Sequence, residues 1–134
     1  MSRENVEIVR RGYEAFNRGD AEAMVDDMAP TIEYVGTGAV PGFPGVYQGP
    51  DGWKKAVSWL RDEFDDAHVE IRELVERGED LILASLALSG RGKQSGIETS
   101  LEIWQLWTVE GGKIQRGQGF TTREEALEAA GLSE

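Results

Sequence analysis

The stretch ETSLEIWQLWTVEGGK, residues 98–113, alternates as a half-buried strand does, with Leu101, Ile103, Trp107 and Val109 on one face. Gln105 stands in the middle of that apolar face. A primary amide donates and accepts hydrogen bonds without carrying charge, so on an apolar wall it can orient a ligand's carbonyl or hydroxyl. It can equally bond a neighbouring backbone group or a buried water. Left unpartnered it would cost about 1–3 kcal/mol. Tyr34, in TIEYV (31–35), is the second candidate. Its hydroxyl could donate to a bound oxyanion, or simply reach water while the ring packs.

Residue counts exclude much other chemistry. The chain has no cysteine, hence no disulfide, thiolate nucleophile or Cys-ligated metal. His68 is its single histidine, so a zinc site of several imidazoles cannot be built within one chain. His68 lies in DDAHVE, which reads as a polar junction between elements in preference to a hard-metal site. GRGKQSG (90–96) lacks the G-x-x-x-x-G-K-[ST] order and falls between two strands, so it reads as a hairpin turn and not a phosphate loop. No metal and no cofactor is expected. The net charge of −11, from 25 acidic and 14 basic residues with no basic stripe, argues against nucleic acid as a partner. The longest apolar run, LILASLAL (81–88), is too short for a bilayer, and MSRENVEIVRRGY lacks the apolar centre of an export signal. The expectation is a cytoplasmic protein with no membrane association.

The elements that must position Gln105 and Tyr34 follow from periodicity. Val6, Val9, Tyr13 and Phe16 recur at helical spacing over residues 3–17. Asp20 caps a second, short helix with Ala21, Met24, Val25 and Met28 on its apolar face, ended by Pro30. TIEYV is a strand. The loop GTGAVPGFPGVYQGP (36–50) carries Phe43 and Tyr47 and is apolar enough to fold over something. Gly49-Pro50 opens a third helix whose buried face is Trp53, Ala56, Val57, Leu60 and Phe64. Strands are expected near 68–76, 80–90, 96–109 and 113–120. Thr122 and Glu125 form a capping box for a last helix, 123–130. Helices segregated from an antiparallel run of strands make this an α+β chain, with one domain over residues 1–134 and no internal repeat.

This order resembles the nuclear transport factor 2-like superfamily, with GYEAFNRGD closing the first helix, PTIEYV after the second and WTVEGGKI at the last hairpin. REEALEAAGL after the final strand is similar to its SnoaL-like branch, which includes polyketide cyclases. The resemblance covers nearly the whole chain. It implies a curved antiparallel sheet wrapped around helices to form a cone with a hydrophobic pocket inside. It also implies dimerisation through the outer face of the sheet, where Trp104 and Leu106 need a cover; a C-terminal helix folded over that face is the alternative.

The pocket so implied is lined by Tyr34, Gln105, Trp107, Phe16, Met28, Phe43, Tyr47 and Leu86, with Phe43 and Tyr47 at its mouth. The three functional positions of the superfamily's ketosteroid isomerases fall here on Gly12, Tyr34 and Gln105, and none keeps its residue. Tyr13, one step past Gly12, is expected to point about 100° away from that position. The Asp-Arg-Asp set of the limonene epoxide hydrolase finds no carboxylate among the expected inward positions, which are Ile32, Tyr34, every second residue from Ile82 to Leu88 and every second residue from Leu101 to Trp107, with Glu98 and Glu102 on the opposite face. No general base is visible. The branch therefore implies a small hydrophobic ligand, cyclic or polyketide-like, handled by a cofactor-free cyclase- or isomerase-type enzyme, by a non-catalytic binder, or by a pocketless dimerisation module. The turn also bears on Gln105. A three-residue turn at Glu110-Gly111-Gly112 sets Gln105 opposite Gly117 with empty volume beside it and is preferred, whereas a two-residue Gly-Gly turn sets it opposite Gln118.

Overall fold

The computed structural model describes residues 2–36, 45–78 and 80–131. Helix α1 (Ser2–Arg18) and the short α2 (Ala21–Val25) lead into β1 (Met28–Gly36). Then follow β2 (Gly45–Gln48), α3 (Gly49–Glu63), β3 (Phe64–Arg77), β4 (Leu81–Gly92), β5 (Glu98–Glu110), β6 (Lys113–Phe120) and α4 (Arg123–Ala129). The strands form one curved sheet in the order β2-β1-β6-β5-β4-β3.

The chain is α+β as expected, but the sheet is mixed. Every pairing is antiparallel except β1 with β6, two strands that no hairpin joins and that run in the same direction. Two further expectations are corrected. The strand β2 lies at the end of what reads as loop, where Val46 and Tyr47 pair with Val35 and Tyr34. Met28 belongs to β1 and not to the second helix. The helix stops at Val25, and the Asp27 carbonyl accepts from Ile114 N–H at 2.7 Å, which draws the chain into the sheet. Pro30 is accommodated where the β1–β6 register is interrupted, between Met28 and Glu33, so its missing N–H breaks no regular ladder.

Helices α1 and α3 lay their apolar stripes on one face of the sheet. The main core lies between them: Val9, Tyr13 and Phe16 from α1, Ala56, Val57 and Leu60 from α3, and Ile32, Tyr34, Ile82, Ala84, Leu86, Ile103, Trp107 and Val109 from the strands. Asn17 fixes α1 to the outer strand by imitating a peptide, donating to the Val69 carbonyl (2.9 Å) and accepting from its N–H (2.8 Å). The DDAH segment lies in β3 with a register shift between Asp65 and His68. Asp66 sits at φ 57 and His68 is exposed. GRGKQSG makes the β4–β5 connection, closed by Gly92 N–H to Ile97 carbonyl and Gly96 N–H to Gly92 carbonyl.

The opposite face carries a second, smaller cluster in which Ala126 and Leu127 of α4 cover Leu83, Leu106 and Phe120. Leu106 therefore finds its cover within its own chain, and Trp104 stays partly exposed beside it. Thr122 caps α4 by accepting from Glu125 N–H at 3.1 Å, while the Glu125 carboxylate accepts from the Thr121 hydroxyl at 3.0 Å. Among the described residues no helix is long and apolar enough to cross a membrane.

Candidate functional site

The β5–β6 hairpin sets the site, and neither expected register is correct. The turn is two residues long, Gly111-Gly112, with both at positive φ (61 and 78) between the paired Glu110 and Lys113. That is the type I′ geometry whose twist suits a hairpin and which glycine adopts without strain. A bulge then follows: Val109 pairs with Ile114 but Thr108 with Arg116, so Gln115 is an extra residue. The slip sets Trp107 opposite Gly117 and Gln105 opposite Gly119. Gly117 does not border empty volume. A Cβ there would stand 2.6 Å from Trp107 Cε3 and 2.7 Å from Tyr34 Cδ1, so the glycine is the floor on which both rings lie.

Above that floor four aromatic rings meet. Tyr34 lies 4.5 Å from Trp53 and 5.6 Å from Trp107, centroid to centroid, and Tyr13 meets Trp107 edge-on at 6.5 Å. Gln105, 7% exposed, has the one buried side chain among the described residues other than those of the hydrophobics and tyrosines, and it lies within this group. The Trp107 indole N–H donates to Tyr13 Oη (2.7 Å), Tyr13 donates to Gln105 Oε1 (2.5 Å), and Gln105 Nε2 donates to Tyr34 Oη (2.8 Å). The direction has a chemical cause. An indole N–H can only donate, so Tyr13 accepts there and passes its own proton to the amide oxygen, which turns the amide nitrogen toward Tyr34. The chain ends at Tyr34, whose own proton has no acceptor among the described residues. The second N–H of Gln105 is likewise unused there. Both phenols stay protonated: burial pushes each pKa far above the ordinary tyrosine value, and the hydrogen bonds from Trp107 and Gln105 only partly oppose it.

These groups border a cavity of about 80 Å³ between α1, α3 and the sheet. Of the residues expected to line a pocket, Tyr34, Gln105, Trp107, Phe16, Met28 and Leu86 do face it. Tyr47 packs against the core from β2 without lining the cavity, and Phe43 lies outside the described residues. Tyr13 does not point away. The apolar stripe of α1 is wide enough that Val9, Gly12, Tyr13 and Phe16 all face the cavity. The Arg61 guanidinium holds Phe16 in place, stacking on its ring at 4.5 Å and donating to its carbonyl. Trp53 is the other member that sequence reasoning left in the generic core. No carboxylate, imidazole or amine lines the cavity among the described residues, and no group of three or more metal-ligating side chains comes together among them. The arrangement can donate hydrogen bonds to an uncharged or enolic oxygen; among the described residues it holds no base.

The SnoaL-like domain family matches residues 9–117 of the chain. The chain is 39% identical over 89 residues to aklanonic acid methyl ester cyclase DnrD of Streptomyces peucetius, an alignment covering 64% of this chain and 57% of that protein. It is 38% identical over 89 residues to the corresponding cyclase DauD of Streptomyces sp. strain C5, covering 64% and 52%. The chain thus spans little more than half the length of the curated relatives it matches. Among solved structures, a nuclear transport factor 2-like protein of Burkholderia thailandensis superposes with a TM-score of 0.78 at 25% identity, over 96% of this chain and 98% of the other.

Proposed function

The chain belongs to the SnoaL-like domain family, and from that premise we propose that its cavity takes a small hydrophobic, cyclic or polyketide-like carbonyl compound on which the protein acts as a cofactor-free cyclase or isomerase. The observation carrying this reading is the directed chain Trp107 to Tyr13 to Gln105 to Tyr34, which ends in two donors that have no acceptor among the described residues, beside an apolar cavity. Such donors in a water-poor site stabilise the charge that develops on a carbonyl oxygen as its α-carbon loses a proton. With no basic side chain in the described lining, an oxygen of the ligand itself accepts that proton. The electron pair of the C–H bond moves into the enolate held by Tyr34 and Gln105. The cyclase activity of the two Streptomyces relatives supports the reaction class.

One observation favours a second reading. A cavity of about 80 Å³ is well below the roughly 300–1,000 Å³ of ordinary ligand sites, as a binder that opens on demand or a closed dimerisation module would have. The outer face around Trp104 is the place for self-association, beside the strip that α4 already covers.

A thermal-shift screen of cyclic ketones, aromatic polyketides, steroids and epoxides against the wild type, Gln105→Leu and Tyr34→Phe separates these readings. A compound that stabilises the wild type but neither variant, and whose α-carbon takes up solvent deuterium faster with the wild type present, supports the enzyme. Stabilisation without exchange supports the binder. If no compound stabilises the wild type, the pocket reading falls.

A further inference from the structure

The inner cavity does not end at its own walls. Leu60 of α3 and Leu88 of β4 line it, and the same two side chains line a second apolar chamber of about 120 Å³. Phe64, Ala67, Gly90 and Leu101 form the rest of that chamber's apolar wall. Two features of the backbone keep it open. The break in the β3–β4 register after Asp65, with Asp66 at positive φ, brings Ala67 to the buried side at 5% exposure. Gly90 lets β4 pass beneath Phe64, since a Cβ there would stand 3.1 Å from Phe64 Cβ.

Resting on the carbonyl-pocket reading above, we infer that the site binds a flexible, chain-like carbonyl compound, its oxygen on Tyr34 and Gln105 and its apolar tail passing between Leu60 and Leu88 into the outer chamber. Capacity supports a chain. Allowing about 30 Å³ for each small group, the inner cavity holds a carbonyl with its two flanking carbons, and the outer chamber holds about four methylenes. A rigid fused ring would have to displace residues of both α3 and β4. A chain needs only a rotamer change at two leucines, and leucine rotamers exchange quickly compared with backbone movement.

The probes are butan-2-one, hexan-2-one, octan-2-one and undecan-2-one, titrated into methyl-labelled protein and followed by NMR. Each buried methylene is expected to tighten binding roughly fourfold. Octan-2-one then binds roughly 200-fold tighter than butan-2-one, and undecan-2-one gains nothing further. The Ala67 and Leu101 methyl signals move only with the longer ketones, whereas the Trp107 indole signal moves with all. Ala67→Leu fills the outer chamber and brings octan-2-one down to the affinity of butan-2-one; Leu101→Phe does the same from the other wall and serves if the first variant fails to fold. A flat length dependence in the wild type, or one that both variants leave intact, overturns the two-chamber inference while the inner pocket stands. Failure of every ketone, butan-2-one included, overturns the inference and the carbonyl-pocket reading together.

Discussion

Tyr13 and Tyr34 offer a controlled comparison, because Tyr→Phe removes the same oxygen from two rings buried in the same core at 9% and 4% exposure. Both substitutions lose the same atom and leave a hole of one hydroxyl, so cavity and transfer terms nearly cancel between them. What differs is the set of groups left without a partner. Tyr34→Phe strands one amide N–H of Gln105. Tyr13→Phe strands two groups, the Trp107 indole N–H and the Gln105 carbonyl oxygen. A buried polar group left unsatisfied costs about 1–3 kcal/mol. Tyr13→Phe should therefore destabilise the protein by about 1–3 kcal/mol more than Tyr34→Phe. At about 4 °C per kcal/mol for a chain of this size, the two melting temperatures should differ by roughly 4–12 °C. Urea unfolding with equal m-values checks that the comparison is one of native states. Carbonyl-ligand binding should show the reverse order, since of the two hydroxyls only that of Tyr34 is without an acceptor among the described residues. If the two variants are equally stable, or Tyr34→Phe is the weaker protein, the directed chain described here is wrong.

Other expectations follow from the same geometry. Gly117→Ala should cost about 1–3 kcal/mol by forcing the Trp107 and Tyr34 rings off their floor, seen as a lower unfolding midpoint and altered tryptophan fluorescence. Because burial raises both phenol pKa values, the folded state holds two protons that the unfolded chain releases above its ordinary tyrosine pKa. The stability from these groups is thus complete below about pH 10 and declines as pH rises further. In a spectrophotometric titration, the phenolate absorbance of Tyr13 and Tyr34 should appear only together with the loss of tertiary circular dichroism. Thr122→Ala removes the cap of α4 and should cost about 0.5–2 kcal/mol, with faster hydrogen exchange at Ala126 and Leu127 than at the β4–β5 ladder.

The inward face of the sheet was legible in the sequence because strand periodicity is strict. Ile32, Tyr34, the even positions 82–88 and the odd positions 101–107 all face the side the alternation assigns them. The registers were not legible, and the cause is local. The Gly-Gly turn permits more than one hairpin geometry, and the bulge at Gln115 leaves no mark in residue type. Without that single extra residue the same turn would set Gly117 opposite Leu106; with it, Gly117 underlies Trp107. Helical spacing identified the stripe containing Tyr13 and Trp53 but not how far along it a hydroxyl or indole meets a partner on β5. The network was missed because its members lie 71 to 94 residues apart. The short β2 and the start of β1 were hidden by Gly and Pro, residues that usually mark loops and here mark interrupted ladders.

The chemistry of the amide explains why a glutamine stands on this wall. A carboxylate at 105 would accept from both tyrosines and turn both hydroxyl protons onto itself, leaving none for a ligand. A leucine would leave Tyr13 without an acceptor. The amide accepts on one side and donates on the other, so it relays the polarity of the Trp107 indole to Tyr34 and leaves the Tyr34 proton uncommitted among the described residues. Gln105→Glu tests this directly. Burial raises the pKa of the new carboxyl group. While protonated, that group reproduces the amide pattern, its carbonyl accepting from Tyr13 and its O–H donating to Tyr34. Once ionised, it recruits the Tyr34 proton. Ketone binding by this variant should therefore persist at low pH, weaker than wild type because a carboxylic acid lacks the amide's second N–H, and be lost as pH rises through the new group's pKa, while wild-type binding stays level across the same range. Equal pH dependence in the two proteins would show that the Tyr34 proton is not what the cavity offers its ligand.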